Sequence, residues 1–460
     1  MLKWLENVFA AKPVPEQASA PSPAKSRTAA PPKERPLPAP SINLDIATSD
    51  EAFAHGILSR QVIVDRAYHP IGYEFGLRAE STHHGAPTAR ILAGVLNRLG
   101  KADLSAGRQS WLRLTDTELA ESPTSTIELA HSIVIIELTA ADPAIRSTAL
   151  EHAHGIKANG IQLALADWSD TEQHHTWLPL CDFVEVRNST HNLVDFGGWP
   201  EQLALLRPGV RVVACGVDSW EELEFCHRQK FDLFRGHFLT HRENWPRQPK
   251  ISPERGRLID LLNRLHLGTE LTEIADQLKQ SPELSYRLLR YINSAGIGTA
   301  ASIASIQQGL MILGRDKTYR WLTVLLFTSG QGKSLDTALL EQALVRARLM
   351  ELVAGDQFNR LQTDELFVVG IFSMLDMLLQ LPMSVALEPL KLPSAVADAL
   401  LHPESAASAY APFLNLAIAC EDSDSDRLKQ LSERLAIPLA IVNSLHLDAL
   451  VWTQLTLTEK

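Results

Sequence analysis

Short runs rich in β-branched and aromatic residues recur about every 25–30 residues from Ile57 to Thr240, and this spacing restricts the fold more than any other feature. The runs are Gln61–Asp65 paired with Ile71–Phe75, then Trp111–Leu114, Ile133–Leu138, Ile161–Leu165, Phe183–Val186, Val210–Ala214 and Phe231–Phe234. Segments such as Ala89–Leu99, Pro143–Ala158 and Ser219–Arg228 lie between them, with apolar positions three or four apart. Strand and helix alternating in this way predict a parallel sheet closed as a TIM-like (β/α) barrel, with an antiparallel hairpin at its start. Chemistry in such a barrel sits at the C-terminal ends of the strands.

After Pro253 the strand signal stops. Leu258, Leu261, Leu262 and Leu265, then Leu271, Ile274 and Leu278, then Leu284, Leu288, Leu289 and Ile292 all keep helical spacing. Ser281, Pro282 and Glu283 supply an N-cap, a proline at the first helical position and an acid in the first turn. Further helices are expected over Thr337–Ala354, Thr363–Leu379, Ser394–His402 and Ser425–Leu435. The fold class is therefore multi-domain, α/β followed by all-α. The expected divisions are a tether over 1–45, a barrel over 46–250, a helical domain over 251–450 and a tail over 451–460.

Composition narrows the functional classes. Residues 12–40 are crowded with Pro and Ala and read as a disordered tether, because they cannot bury enough apolar surface to offset the entropy of ordering. The opening Met1–Phe9 is too short and wrongly flanked for a signal peptide and reads as a frayed end, with a short amphipathic helix as the alternative. No apolar run reaches the length of a transmembrane helix. The net charge of −11 argues against a nucleic-acid binder, which needs a concentrated basic face. Four cysteines with no CxxC pair fit a reducing cytoplasm. The pairs His83-His84 and His174-His175 fall in polar stretches without acids or cysteines at ligand spacing and read as solvated loop residues.

Residues 59–78, SRQVIVDRAYHPIGYEFGLR, resemble the opening of EAL domains, the barrel-shaped cyclic di-GMP phosphodiesterases, in the divergent branch fused to an HDOD domain. The likeness continues through Ile136–Thr139, Leu163–Trp168, Phe183–Arg187, Val212–Asp218 and Phe231–Phe238. What it implies is hydrolysis supported by two divalent cations, which need oxygen ligands. Glu74 matches the signature glutamate and Glu137 a second ligand, and Asp167 remains from an aspartate pair whose first member is replaced by Ala166. Arg113 stands at the family's asparagine, Glu185 at its catalytic lysine, and Arg187, Cys215 and Arg235 at further polar positions. Arg78 matches the arginine that contacts the dinucleotide.

With two cationic side chains entering the cup, the expectation is a metal-free network in which Arg113 and Arg235 pair with Glu74 and Glu137. The alternative for Glu74 is a solvated acid on a strand end. No cofactor is expected, and cyclic di-GMP is the candidate ligand, bound without turnover.

The segment 281–322, SPELSYRLLRYINSAGIGTAASIASIQQGLMILGRDKTYRWL, resembles HDOD domains, as do Arg346–Glu351 and Gly370–Asp376 downstream. HDOD domains are related in fold to metal phosphohydrolases that use a His-Asp pair, yet no histidine occurs between Leu267 and Leu401. Asp376 reads instead as a helix–helix hydrogen-bond partner, and Asn293–Gly296 as a helix stop. Trp321 and Tyr319 are expected in the core, with an aromatic contact surface as the alternative. The replaced residues make the expected role a non-catalytic bacterial signalling protein that acts through protein partners, and the resemblance implies processes under cyclic di-GMP control, such as motility, attachment or biofilm formation; the alternatives are a cyclic di-GMP receptor without turnover and a weak cyclic di-GMP phosphodiesterase.

Overall fold

A computed structural model describes residues 56–79, 108–121, 132–188, 193–241, 251–293, 303, 305–329, 334–355, 357–405, 407–422 and 425–458. The tether, His83-His84, the Ala89–Leu99 segment, the Trp245–Lys250 linker and residues 294–296 of the proposed helix stop lie outside them. In the first half, β1 (Gly56–Asp65) and β2 (Pro70–Ala79) are followed by β3 (Gln109–Thr115), α1 (Asp116–Glu121), β4 (Ser132–Glu137), α2 (Pro143–Ala158), β5 (Gln162–Leu165) and α3 (Glu172–Trp177). β6 (Phe183–Arg187), α4 (Leu193–Leu206), β7 (Arg211–Cys215), α5 (Trp220–Arg228) and β8 (Leu233–Arg235) complete it. The eight strands close in sequence order. β1 runs antiparallel to both β2 and β8, and the other pairs are parallel.

Local sequence explains the helix boundaries. α2 starts where the Asp142 side chain accepts from the Ala144 amide and Pro143 takes a position that needs no donor. α5 starts where Ser219 accepts from the Glu222 amide. Inside the barrel, Ile63, Trp111, Ile133, Ile135, Ala164, Phe183, Val213 and Leu233 form a packed apolar plug. Gly72 belongs there because a Cβ would lie 2.5 Å from the Gln109 carbonyl oxygen and 2.9 Å from the Trp111 indole nitrogen.

The helical half comprises α6 (Pro253–His266), α7 (Leu271–Lys279), α8 (Pro282–Ile292), α9 (Ile306–Thr328), α10 (Ser334–Ala354), α11 (Arg360–Phe372), α12 (Leu375–Leu379), α13 (Met383–Leu387), α14 (Ser394–Leu401), α15 (Ala411–Asp422), α16 (Ser425–Arg434) and α17 (Leu439–Thr458). The α8 start carries the cap read from Ser281 and Pro282. Asn293 closes that helix and ties it forward, its side chain accepting from the Ile303 amide (2.6 Å) and donating to the Ile303 carbonyl (2.6 Å). Gly314 adopts φ 76° and kinks α9, a conformation open to glycine.

Three expectations need correction here. The stretch 363–379 is two helices, because the chain turns at Ser373 and Met374. Residues 451–458 are not a tail: α17 carries them, and Thr453, Gln454 and Thr456 are buried. His174 and His175 sit on the helix α3 instead of in a loop and pack edge-on against the buried Trp168, with His175 still solvated as expected. Trp321, expected in the core, is fully buried and stacks on Tyr291 at 6.2 Å.

Barrel and helices share one apolar core, in which Val64, Tyr73 and Phe75 join Leu339, Leu344, Leu416 and Leu450. The joint lies on the outer face of the β1–β2 hairpin. A two-strand hairpin has no crossover helix between its strands, so the outer face of β1 needs cover from elsewhere; here α15 and α17 lie against β1, and α10 against β2. At its centre is the carboxylate of Glu341 on α10, only 2% exposed. Arg60 of β1 lies 2.9 Å from Oε1, while Tyr73 of β2 donates to Oε2 (2.5 Å) and Arg108 does so at 3.0 Å. Gln454 of α17 also donates to Oε1, and the Arg60 guanidinium stacks over the Tyr73 ring at 4.4 Å.

Removing one partner of a buried ion pair strands the others. Glu341→Ala, which leaves Arg60 and Arg108 facing each other in the core, is expected to cost about 3–5 kcal/mol of unfolding free energy in urea. Tyr73→Phe, which deletes one donor and keeps the ring, is expected to cost only about 0.5–1.5 kcal/mol.

Candidate functional site

The pleat of each strand turns alternate residues into the barrel. At the C-terminal ends this brings Glu74 (β2), Arg113 (β3), Glu137 (β4), Glu185 and Arg187 (β6), Cys215 (β7) and Arg235 (β8) to one cup. Asp167 follows β5, with φ 44°. Arg78 lies on β2, but its side chain is outside the described residues.

Within the cup two guanidiniums bridge two carboxylates. Arg113 donates from Nε to Glu74 Oε1 (3.1 Å) and from Nη2 to Glu185 Oε2 (2.8 Å). Arg235 Nη1 contacts Glu74 Oε2 and donates to Glu185 Oε1 (2.5 Å). All four oxygens of Glu74 and Glu185 are thus directed at guanidinium nitrogens. Glu137 stands at the rim, 40% exposed and 3.7 Å from Arg113 Nη1. That nitrogen is buried without a hydrogen-bond partner among the described residues. Asp167 forms a separate pair with Arg187, at 2.7 Å from Nε and 3.4 Å from Nη2.

Glu185, read from the sequence as a member of the remnant pocket at the lysine position, is the central acceptor, and Glu137 contributes less than the sequence implied. Burial alone would raise the Glu185 carboxyl, but Arg235 and Arg113 outweigh it and hold it below the ordinary carboxylate range. Burial opposes charge on Arg113 as well, and Glu185 and Glu74 more than restore it. The Cys215 thiol is pushed well above its ordinary value, chiefly by burial, so it stays protonated. Among the described residues no group of three or more His, Cys, Asp or Glu side chains is gathered as a metal site.

Sequence reasoning missed a second polar group at the rim. Gln61, in register with Glu74, meets His237 Nε2 at 3.1 Å, and His237 Nδ1 meets Asp218 Oδ1 at 3.1 Å. These residues are far apart in the chain and share no spacing signal. In the helical half, Asp376 sits in the first turn of α12 and accepts from the adjacent Met377 amide (2.8 Å), a contact within its own helix and not one between two helices. Burial raises its carboxyl to about 6. The helix–helix link there is made by Arg346, which donates to both oxygens of Glu421 and to Ser373.

Residues 257–383 match the family model described as HDOD domain. The chain is 26% identical over 420 residues to "Uncharacterized protein YuxH" of Bacillus subtilis (strain 168), covering 86% of this chain and 97% of that protein. It is 24% identical over 405 residues to "Cyclic di-GMP phosphodiesterase CdgJ" of Vibrio cholerae serotype O1, covering 86% of this chain and 92% of that protein. A solved EAL domain protein from Listeria monocytogenes EGD-e is similar at 18% identity and TM-score 0.31, over 42% of this chain and 90% of that one.

Acid stability follows from the depressed carboxyls. Glu185 and Glu341 both have folded-state values held below the ordinary glutamate value, so the unfolded chain takes up protons first as the pH falls. The stability they contribute is complete above about pH 4.3 and is lost on acidification through their lower folded values. Melting temperature is expected to drop across that window, and Glu185→Gln, which melts lower at neutral pH, should show a shallower acid slope. The chain joins a closed eight-stranded barrel to a helical half in which residues 257–383 match the HDOD domain model.

Proposed function

We propose that this chain is a non-catalytic regulator in cyclic di-GMP signalling, acting through protein contacts of its HDOD domain and barrel. The observation that carries this reading is the occupation of the mouth by Arg113 and Arg235, which take every oxygen of Glu74 and Glu185. Two divalent cations need several oxygen ligands apiece, and cationic nitrogens in the same cup oppose them electrostatically. The residues present therefore do not fit the two-metal centre implied by the EAL resemblance. The lysine position is held by Glu185, whose carboxylate is spent on ion pairs and buried away from water.

A second reading has a specific observation behind it. A relative covering most of both chains is named a cyclic di-GMP phosphodiesterase. Turnover would require Arg113 and Arg235 to leave the cup. Binding without turnover is the intermediate reading, with Arg78 and Arg187 as the groups for the phosphates.

Incubating the purified chain with cyclic di-GMP and magnesium or manganese separates these readings. The expected chromatogram contains no linear dinucleotide, and the melting temperature is expected to be unchanged by either metal. Linear product that disappears in Glu74→Gln would overturn the regulator reading. Saturable heat on titration with cyclic di-GMP, absent in Arg78→Ala, would assign the receptor role.

A further inference from the structure

A cavity of about 170 Å³ opens in the HDOD half, between the end of α6, the kinked part of α9, α11 and the start of α14. Leu265, Val368 and Val396 form its apolar wall, and all three are buried. Leu361 stands at its edge, 62% exposed. Tyr319 also lines it, and the tyrosine hydroxyl is buried with no hydrogen-bond partner among the described residues.

The charges around this space are unequally engaged. Arg315 donates to the carbonyls of Leu265, Gly268 and Thr269. Arg320 donates to Glu351 at 2.6 Å and lies over the Phe367 ring at 3.3 Å. Asp364 is 3.6 Å from Arg320, too far for a hydrogen bond, and burial raises its carboxyl against the pull of that arginine. Arg315 and Arg320 are committed elsewhere, and Asp364 is under-served.

Size decides what can enter. Pockets for drug-sized ligands measure roughly 300–1,000 Å³, so this one is too small for a dinucleotide and large enough for a single side chain. We infer that it is the anchor pocket for an arginine of a protein partner. The aliphatic stem lies along Leu361, Val368 and Val396, while the guanidinium donates to Asp364 and to the Tyr319 hydroxyl oxygen. Arginine is among the residues that most often dominate interfaces when seated in a desolvated pocket. This inference rests on the protein-contact role proposed above, but its test does not involve cyclic di-GMP, so either can fail without the other.

Saturation-transfer NMR on the full chain tests it with Nα-acetyl-arginine methylamide, using the citrulline analogue, of equal shape and no charge, as control. Transfer is expected from the arginine compound alone, with roughly tenfold weaker binding in Asp364→Asn. Val396→Trp, which fills the cavity, is expected to abolish it; if that variant does not fold, Asp364→Asn decides. Equal transfer from the citrulline compound, or binding unchanged in Asp364→Asn, would overturn the assignment.

Discussion

One buried carboxylate holds the two halves of this molecule in register. Glu341 is surrounded by Arg60, Tyr73 and Arg108 of the barrel and Gln454 of the last helix, and no single element supplies enough of them to compensate an isolated charge. Burial opposes ionisation there, yet the two arginines and the phenol bring its carboxyl below the ordinary value. The ion is tolerable only in the assembled molecule. An apolar interface of the same area would tolerate sliding, whereas a carboxylate with directed donors admits one arrangement.

The barrel needs that arrangement because of its first strand. Parallel strands acquire covering helices from their crossovers, but β1 turns directly into β2 through residues 66–69 and gains none. Val62 and Val64 would face water on the outer side, where α15 and α17 now lie. The same hairpin builds the mouth. Tyr73 points outward to Glu341, and its neighbour Glu74 points inward to Arg113 and Arg235. A one-residue slip of β2 would exchange the two, placing a carboxylate in the domain joint and a phenol in the cup. Interface and mouth are therefore fixed by one strand register.

Much of this architecture is legible in the sequence. Continuous β-branched apolar runs such as Val62–Val64 and Ile133–Ile136 locate strands, and Asp142-Pro143 and Ser281-Pro282 mark helix starts, because capping is a local interaction. The Ser373 break was not legible, since it depends on contacts across the bundle: Arg346 donates to the Ser373 hydroxyl, and a Cβ on Gly370 would lie 2.3 Å from Ala347 Cα. The length of α17 was hidden for a related reason, as its apolar residues lie all around the helix and give no one-sided stripe. In the cup, the resemblance to EAL domains, carried over strand by strand, placed Glu74, Arg113 and Arg235 together. It did not rank Glu185 above Glu137, which depends on how far each strand reaches into the barrel. Glu341 and Tyr73, 268 residues apart, share no sequence signal.

Charge balance gives the proposed role of the mouth its physical sense. A two-cation centre carries four positive charges that carboxylates and a phosphodiester must offset. Arg113 and Arg235 carry two, and Glu74 and Glu185 offset them completely, leaving Glu137 at the solvent rim and Asp167 joined to Arg187. A charge-balanced set in which every carboxylate oxygen of Glu74 and Glu185 meets a guanidinium holds its shape without ligand, whereas an empty carboxylate cage repels itself until ions arrive. In the reading proposed here, the strand ends that would otherwise depend on metal occupancy are fixed by the chain itself. The barrel then presents a constant surface to the HDOD domain, as a scaffold for protein contacts requires.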